Sequence, residues 1–113
     1  MVRATHVNDP MIEQCQAVSQ MLKALAHPQR LQLLCHLSAG ERTVGELETL
    51  CQASQSHISQ FLSRMKREAL VDSRREGSFV FYRISEPRVL KLIQSMHKIF
   101  CEPMSSNKKA GVK

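Results

Sequence analysis

Tryptophan is absent from this chain, and tyrosine occurs once. Four phenylalanines complete the aromatic set, which argues against a large aromatic-lined ligand pocket. No apolar run reaches the roughly 18 residues of a membrane-crossing helix. The opening residues, MVRATHVNDP, lack the apolar stretch of a secretory signal. The expectation is therefore a cytoplasmic protein with no membrane partner.

Cysteine is scarce and poorly spaced for metal. The four thiols stand at 15, 35, 51 and 101, with no C-x-x-C among them, so a zinc knuckle or ribbon is not supported. In a reducing compartment they should be free, which excludes a structural disulfide framework. No Ser/His/Asp or paired-carboxylate constellation stands out, so the chain does not read as an enzyme, and no cofactor is implied.

Acidic residues are outnumbered, 10 against 16 basic, for a net charge of +6. That balance suits a polyanionic partner, with nucleic acid ahead of an anionic membrane. A charge of this size also serves solubility alone. At 113 residues the chain is one domain with a modest core, to which a homodimer would add buried surface.

What the sequence does have is helical period. Residues 1–8 read as a flexible arm. Asp9 caps a first helix with Pro10 at its first position, and Ile12, Cys15, Val18, Met21, Leu22 and Leu25 form its apolar stripe. Pro28 opens a second helix carrying Leu31, Leu33, Leu34, Cys35 and Leu37, which stops near Gly40. Thr43 and Glu46 have capping-box spacing for a short third helix with Val44, Leu47 and Leu50 on its apolar side. Ser54 caps a fourth, with Ile58, Phe61, Leu62 and Met65 at core spacing.

The period then shortens to two. LVDSRREGSFVFYRI reads as two strands turning at Glu76-Gly77, where glycine permits positive φ. Ser85 and Pro87 open a last helix with Val89, Leu90, Ile93, Met96, His97, Phe100 and Cys101. Residues 102–113 read as a disordered basic tail. The order is α-α-α-α-β-β-α over one domain, residues 9–101: mainly α with a β-hairpin wing, a winged helix-turn-helix.

The fourth helix turns a polar and basic face outward: Gln55, Ser56, His57, Ser59, Gln60, Ser63, Arg64 and Arg67. Taken alone, such a face also fits an ordinary surface helix. With a basic hairpin directly following, it fits DNA. A helix enters the major groove, where Gln pairs with adenine and Arg with guanine. Arg74 and Arg75 of the hairpin can reach phosphates or the adjacent minor groove.

LKALAHPQRLQLLCHL, VGELETLCQASQSHISQFLSRMKREALV and SRREGSFVFYRI together resemble the ArsR/SmtB family of dimeric bacterial repressors, over roughly residues 10–101. The resemblance implies a homodimer joined through the first and last helices. It further implies a double-stranded operator with two-fold symmetry and an inducer that releases DNA. The family's thiol metal motif would fall at Thr43, Val44 and Gly45, which hold no cysteine. Its zinc pairs would fall at Glu86 with Arg88 and at His97 with Phe100, and both fail. No metal site is carried over.

What remains is Cys35 in LQLLCHL and Cys101 in HKIFC. Their placement resembles the persulfide- and redox-sensing dithiol branch of the family, the BigR-, SqrR- and HlyU-like regulators. There the two thiols face one another and become bridged by sulfur, which implies a reactive sulfur or oxidant inducer here. A thiolate attacks the outer sulfur of a persulfide, and the second thiol resolves the adduct. His97, one turn before Cys101, can favour the thiolate or serve as a polar rim residue. Arg30 or Lys98 can add charge.

Other readings stay open. Either cysteine can be a small buried hydrophobe. The same pair can form a plain disulfide with peroxide. Cys35, His97 and Cys101 can bind a soft metal. DNA binding can also be constitutive and indifferent to thiol state. Cys15 reads as packing on the first helix, and Cys51 as an exposed thiol at the helix-turn-helix turn.

Overall fold

The computed structural model describes residues 9–101. The arm expected over 1–8 and the tail expected over 102–113 lie outside the described residues. The chain divides into two compact units after Leu31.

The first unit contains α1, Pro10–Leu25, and the first turn of α2, Pro28–Leu37. Asp9 caps α1 as expected, its Oδ1 accepting from the Met11 N–H at 2.9 Å, with Pro10 at the first turn. Only Leu25 of the expected apolar stripe is buried. Met11, Ile12, Val18 and Leu22 are exposed. Cys15 is exposed too, which corrects its reading as packing.

The second unit continues α2 and adds β1, Arg42–Thr43, α3, Val44–Cys51, and α4, Gln55–Arg67. After them come β2, Val71–Glu76, β3, Phe79–Ile84, and α5, Pro87–Phe100. The three strands form an antiparallel sheet in the order β1-β3-β2. Val71 pairs with Ile84 at one end of the hairpin and Glu76 with Phe79 at the other. Gly77, with φ +64, takes the left-handed turn between them. Strand β1 was not expected from the sequence; two residues are too few for a period to register.

Leu33, Leu34, Leu37, Leu47, Ile58, Leu62, Met65, Leu70, Val71, Ile84, Val89 and Ile93 are buried and make the core of this unit. Each contributes about 1.5–3 kcal/mol in area bookkeeping, an upper figure because the unfolded chain is already partly collapsed. The capping box of α3 is complete: Thr43 N–H donates to Glu46 at 2.8 Å and Glu46 N–H to Thr43 at 3.2 Å. Gln52 closes α3 in the left-handed region, φ 53, which reverses the chain toward α4. Ser54 caps α4 as expected. The cap of α5 is Glu86 rather than Ser85: the Glu86 carboxylate accepts from the Arg88 N–H at 2.7 Å. Helices α3 and α4 with the β2–β3 hairpin make a winged helix-turn-helix.

Candidate nucleic-acid interface and thiol cleft

Helix α4 is divided lengthwise by its sequence. Ile58, Leu62 and Met65, at spacings of four and three, are buried. Gln55, Ser56, His57, Gln60, Ser63, Arg64 and Arg67 are exposed, and Ser59 is half-buried. Phe61, expected in the core, is also half-buried. It lines a shallow groove with Ser59, Gln60, Ser63, Arg64 and Arg67. Position 61 falls on the flank of the buried stripe, so its ring is shared between core and surface. His57 is engaged at the helix start, its N–H donating to the Ser54 hydroxyl at 3.3 Å and its Nδ1 lying 3.3 Å from the same oxygen.

The wing is fastened to this helix by a residue outside the sequence-level site. Lys66 Nζ donates to the Ser73 hydroxyl at 2.8 Å. Its only sequence signal was its place in a basic run.

Arg74 and Arg75, equivalent in the sequence reading, differ in the structure. Strand alternation sends neighbouring side chains to opposite faces. Arg74 Nη2 and Nε donate to Glu41 at 2.7 and 2.9 Å, and Nη1 donates to Glu76 at 2.8 Å. Its guanidinium also lies 4.7 Å from the centre of the Phe81 ring. These hydrogen bonds hold the Glu41 carboxyl below its usual range and raise the Arg74 guanidinium further. Arg74 is thus occupied by two carboxylates and a ring face, which corrects its reading as a free phosphate donor. Arg75 makes no ion pair among the described residues.

The thiols meet different surroundings. Cys35 is half-buried on α2 and opens into a cleft of about 420 Å³ lined also by Ser38, Ala39, Gln94, His97 and Lys98. Ser38 donates to the Cys35 carbonyl at 2.7 Å. Gln94 of α5 reaches the Ser38 carbonyl at 3.5 Å. Cys101, the C-cap of α5, is exposed, and its N–H donates to the His97 carbonyl at 2.8 Å.

Burial pushes the Cys35 thiol pKa up, and a negative charge on Cys101 pushes it further, so the two sulfurs lie within electrostatic reach. Burial lowers the His36 imidazole, helped by Arg42 and His97. Cys51 is half-buried rather than exposed, and burial raises its thiol as well. Among the described residues, no three His, Cys, Asp or Glu side chains are grouped to hold a metal ion. Nor is any described helix long and apolar enough to cross a membrane.

Residues 27–73 match the family described as bacterial regulatory protein, arsR family. The biofilm growth-associated repressor of Agrobacterium fabrum is 44% identical over 86 residues, 76% of this chain and 74% of that one. The chain belongs to the ArsR family. This ArsR-family regulator also superposes on reduced HlyU from Vibrio cholerae with a TM-score of 0.75 and 38% identity, covering 80% of this chain and 96% of that one. A homodimeric winged helix-turn-helix DNA-binding domain from Mycobacterium bovis matches with a TM-score of 0.67 and 31% identity, over 88% and 92% of the two chains. The protein is a DNA-binding transcriptional regulator built on a winged helix-turn-helix.

Proposed function

We propose that this regulator is a homodimeric repressor of an operator with two-fold symmetry, and that reactive sulfur species release it by bridging Cys35 and Cys101. The observation that carries the reading is the electrostatic contact between these two thiols, one in a cleft and one exposed. Exposed apolar side chains on α1 (Met11, Ile12, Val18, Leu22) and at the end of α5 (Ile99, Phe100) support a second copy as partner. The proposed DNA face is Gln55, Ser56, His57, Ser59, Gln60, Ser63, Arg64 and Arg67 of α4, with Arg75 on the wing.

The chemistry balances without an outside oxidant. Two persulfides, RSSH, and the two thiols yield one trisulfide bridge, two RSH and one H₂S. The bridge ties α2 to α5. A bias of ~1–3 kcal/mol between binding-competent and released states changes operator affinity roughly 5–150-fold.

The test treats reduced protein with a persulfide donor without oxygen, weighs the peptide joining Cys35 to Cys101, and measures operator affinity on the same sample. A bridge holding added sulfur, with weakened binding, is expected. A bridge formed only by peroxide would assign the switch to oxidants instead. Unchanged affinity in a bridged protein would sink the regulatory reading.

A further inference from the structure

The two thiols are chemically equivalent in sequence and unequal in place. Cys101 closes α5 as an exposed C-cap. Cys35 is half-buried on α2, behind the side chains of Gln94, His97 and Lys98 from α5 and Ser38 from its own helix. From this geometry we infer that Cys101 is the thiol that takes sulfur first from a low-molecular-weight persulfide, and that Cys35 is the resolving thiol. The inference rests on the sulfur reading above and deepens it.

The argument concerns access. Thiol exchange needs the attacking sulfur, the attacked sulfur and the leaving sulfur nearly in line. A persulfide RSSH delivers its outer sulfur and must leave as RS⁻, so the whole group R needs room opposite the attacking thiolate. At Cys101 that room is open. At Cys35 the group would have to enter the cleft between α2 and α5. A hydropersulfide already carried by Cys101 needs no such room, because its leaving group is only HS⁻. Burial also withholds the Cys35 thiolate, and a charge on Cys101 withholds it further, which supports the same order.

The steps follow. The Cys101 thiolate attacks the outer sulfur of RSSH; the new bond gives Cys101–S–SH, and RS⁻ leaves. Its deprotonated terminal sulfur attacks the outer sulfur of a second RSSH, giving Cys101–S–S–SH and another RS⁻. The Cys35 thiolate then attacks the middle sulfur of that chain. HS⁻ leaves, and Cys35–S–S–S–Cys101 remains. The thiol sulfurs are oxidised, and one sulfane sulfur is reduced to sulfide.

The test uses full-length protein with Cys15→Ser and Cys51→Ser, so that only the pair reports. Glutathione persulfide is added without oxygen, samples are quenched with an alkylating agent, and mass spectrometry locates the added sulfur over time. In this protein the first adduct should appear on Cys101. Adding Cys35→Ser should leave that first step at its original rate and stop at an unbridged Cys101 adduct. Adding Cys101→Ser should slow sulfur uptake at Cys35 by roughly tenfold, about one pK unit's worth of thiolate. Circular dichroism and operator binding of the reduced variants check folding. Competitive alkylation of the reduced pair, with no persulfide present, should label Cys101 before Cys35. Sulfur or label arriving first on Cys35 would overturn the order while leaving the sulfur switch intact. Sulfur on neither thiol would overturn both.

Discussion

Arg74 on the wing grips Glu41, 33 residues earlier, through two nitrogens, at 2.7 and 2.9 Å. Glu41 directly precedes β1, Arg74 lies on β2, and the guanidinium rests over Phe81 on β3. One side chain therefore joins all three strands of the sheet to the loop ahead of them. A charge so occupied holds the wing in shape and has little left for phosphate.

This separates Arg74 from Arg75 experimentally. Arg75→Gln should flatten the slope of log affinity against log salt by about 0.9, the effect of one lost phosphate contact. Arg74→Gln should weaken operator binding with the slope nearly unchanged, and Glu41→Gln should do the same. A salt titration by fluorescence anisotropy decides between them. An equal loss of slope in both arginine variants would return Arg74 to the phosphate contacts.

The exposed glutamines of α4 should govern sequence choice rather than overall grip. Gln55→Ala or Gln60→Ala should reduce discrimination at one operator base pair by about 1–3 kcal/mol. Competition between the operator and single-base variants measures it. Uniform weakening across all sequences would assign these residues to the backbone.

Ser54→Ala removes the cap of the reading helix, whose hydroxyl accepts from the His57 N–H at 3.3 Å. A loss of about 1 kcal/mol in urea unfolding is expected. Operator affinity should fall with it, because the helix start carries Gln55 and Ser56.

Alkylation of Cys35 should follow its raised pKa. Fewer thiolates exist at any given pH, so the rate should rise at higher pH than for an unhindered thiol. Cys101→Ser removes the smaller of the two causes and should move the profile to lower pH. It should remain above that of a free thiol, because burial persists. A profile unmoved by Cys101→Ser would mean that the two sulfurs do not sense each other.

His36 gives a stability test in acid. Its folded pKa lies below the ordinary 6.5, so the unfolded chain takes up the proton first as pH falls. Stability should therefore decline as pH drops through that ordinary value. His36→Gln should reduce the loss in melting temperature between about pH 7.5 and about pH 5.5. An equal loss in both proteins would rule His36 out as its source.

The helix starts could be read directly because they rest on local chemistry. Asp9 with Pro10, Thr43 with Glu46, and Ser54 each satisfy backbone N–H groups two or three residues away. The buried stripe of α4 could be read for a related reason, since helical period repeats within a few residues. Phe61 sat at the margin of that rule and fell half outside the core. Strand β1 escaped because its two residues pair only with Tyr82 and Phe81, far along the chain.

The sequence by itself thus determined the four capped or punctuated helix starts in α1 to α4, the wing's turn at Gly77, the basic reading face and the presence of two spaced thiols. Each depends on neighbours within about one helical turn, or on the bare identity of the residue. Only the tertiary structure decided that Arg74 is held by Glu41 while Arg75 is not, and that Cys35 is sheltered while Cys101 is open. Those differences arise where segments distant in the chain meet, and partner and solvent exposure exist only once they have packed.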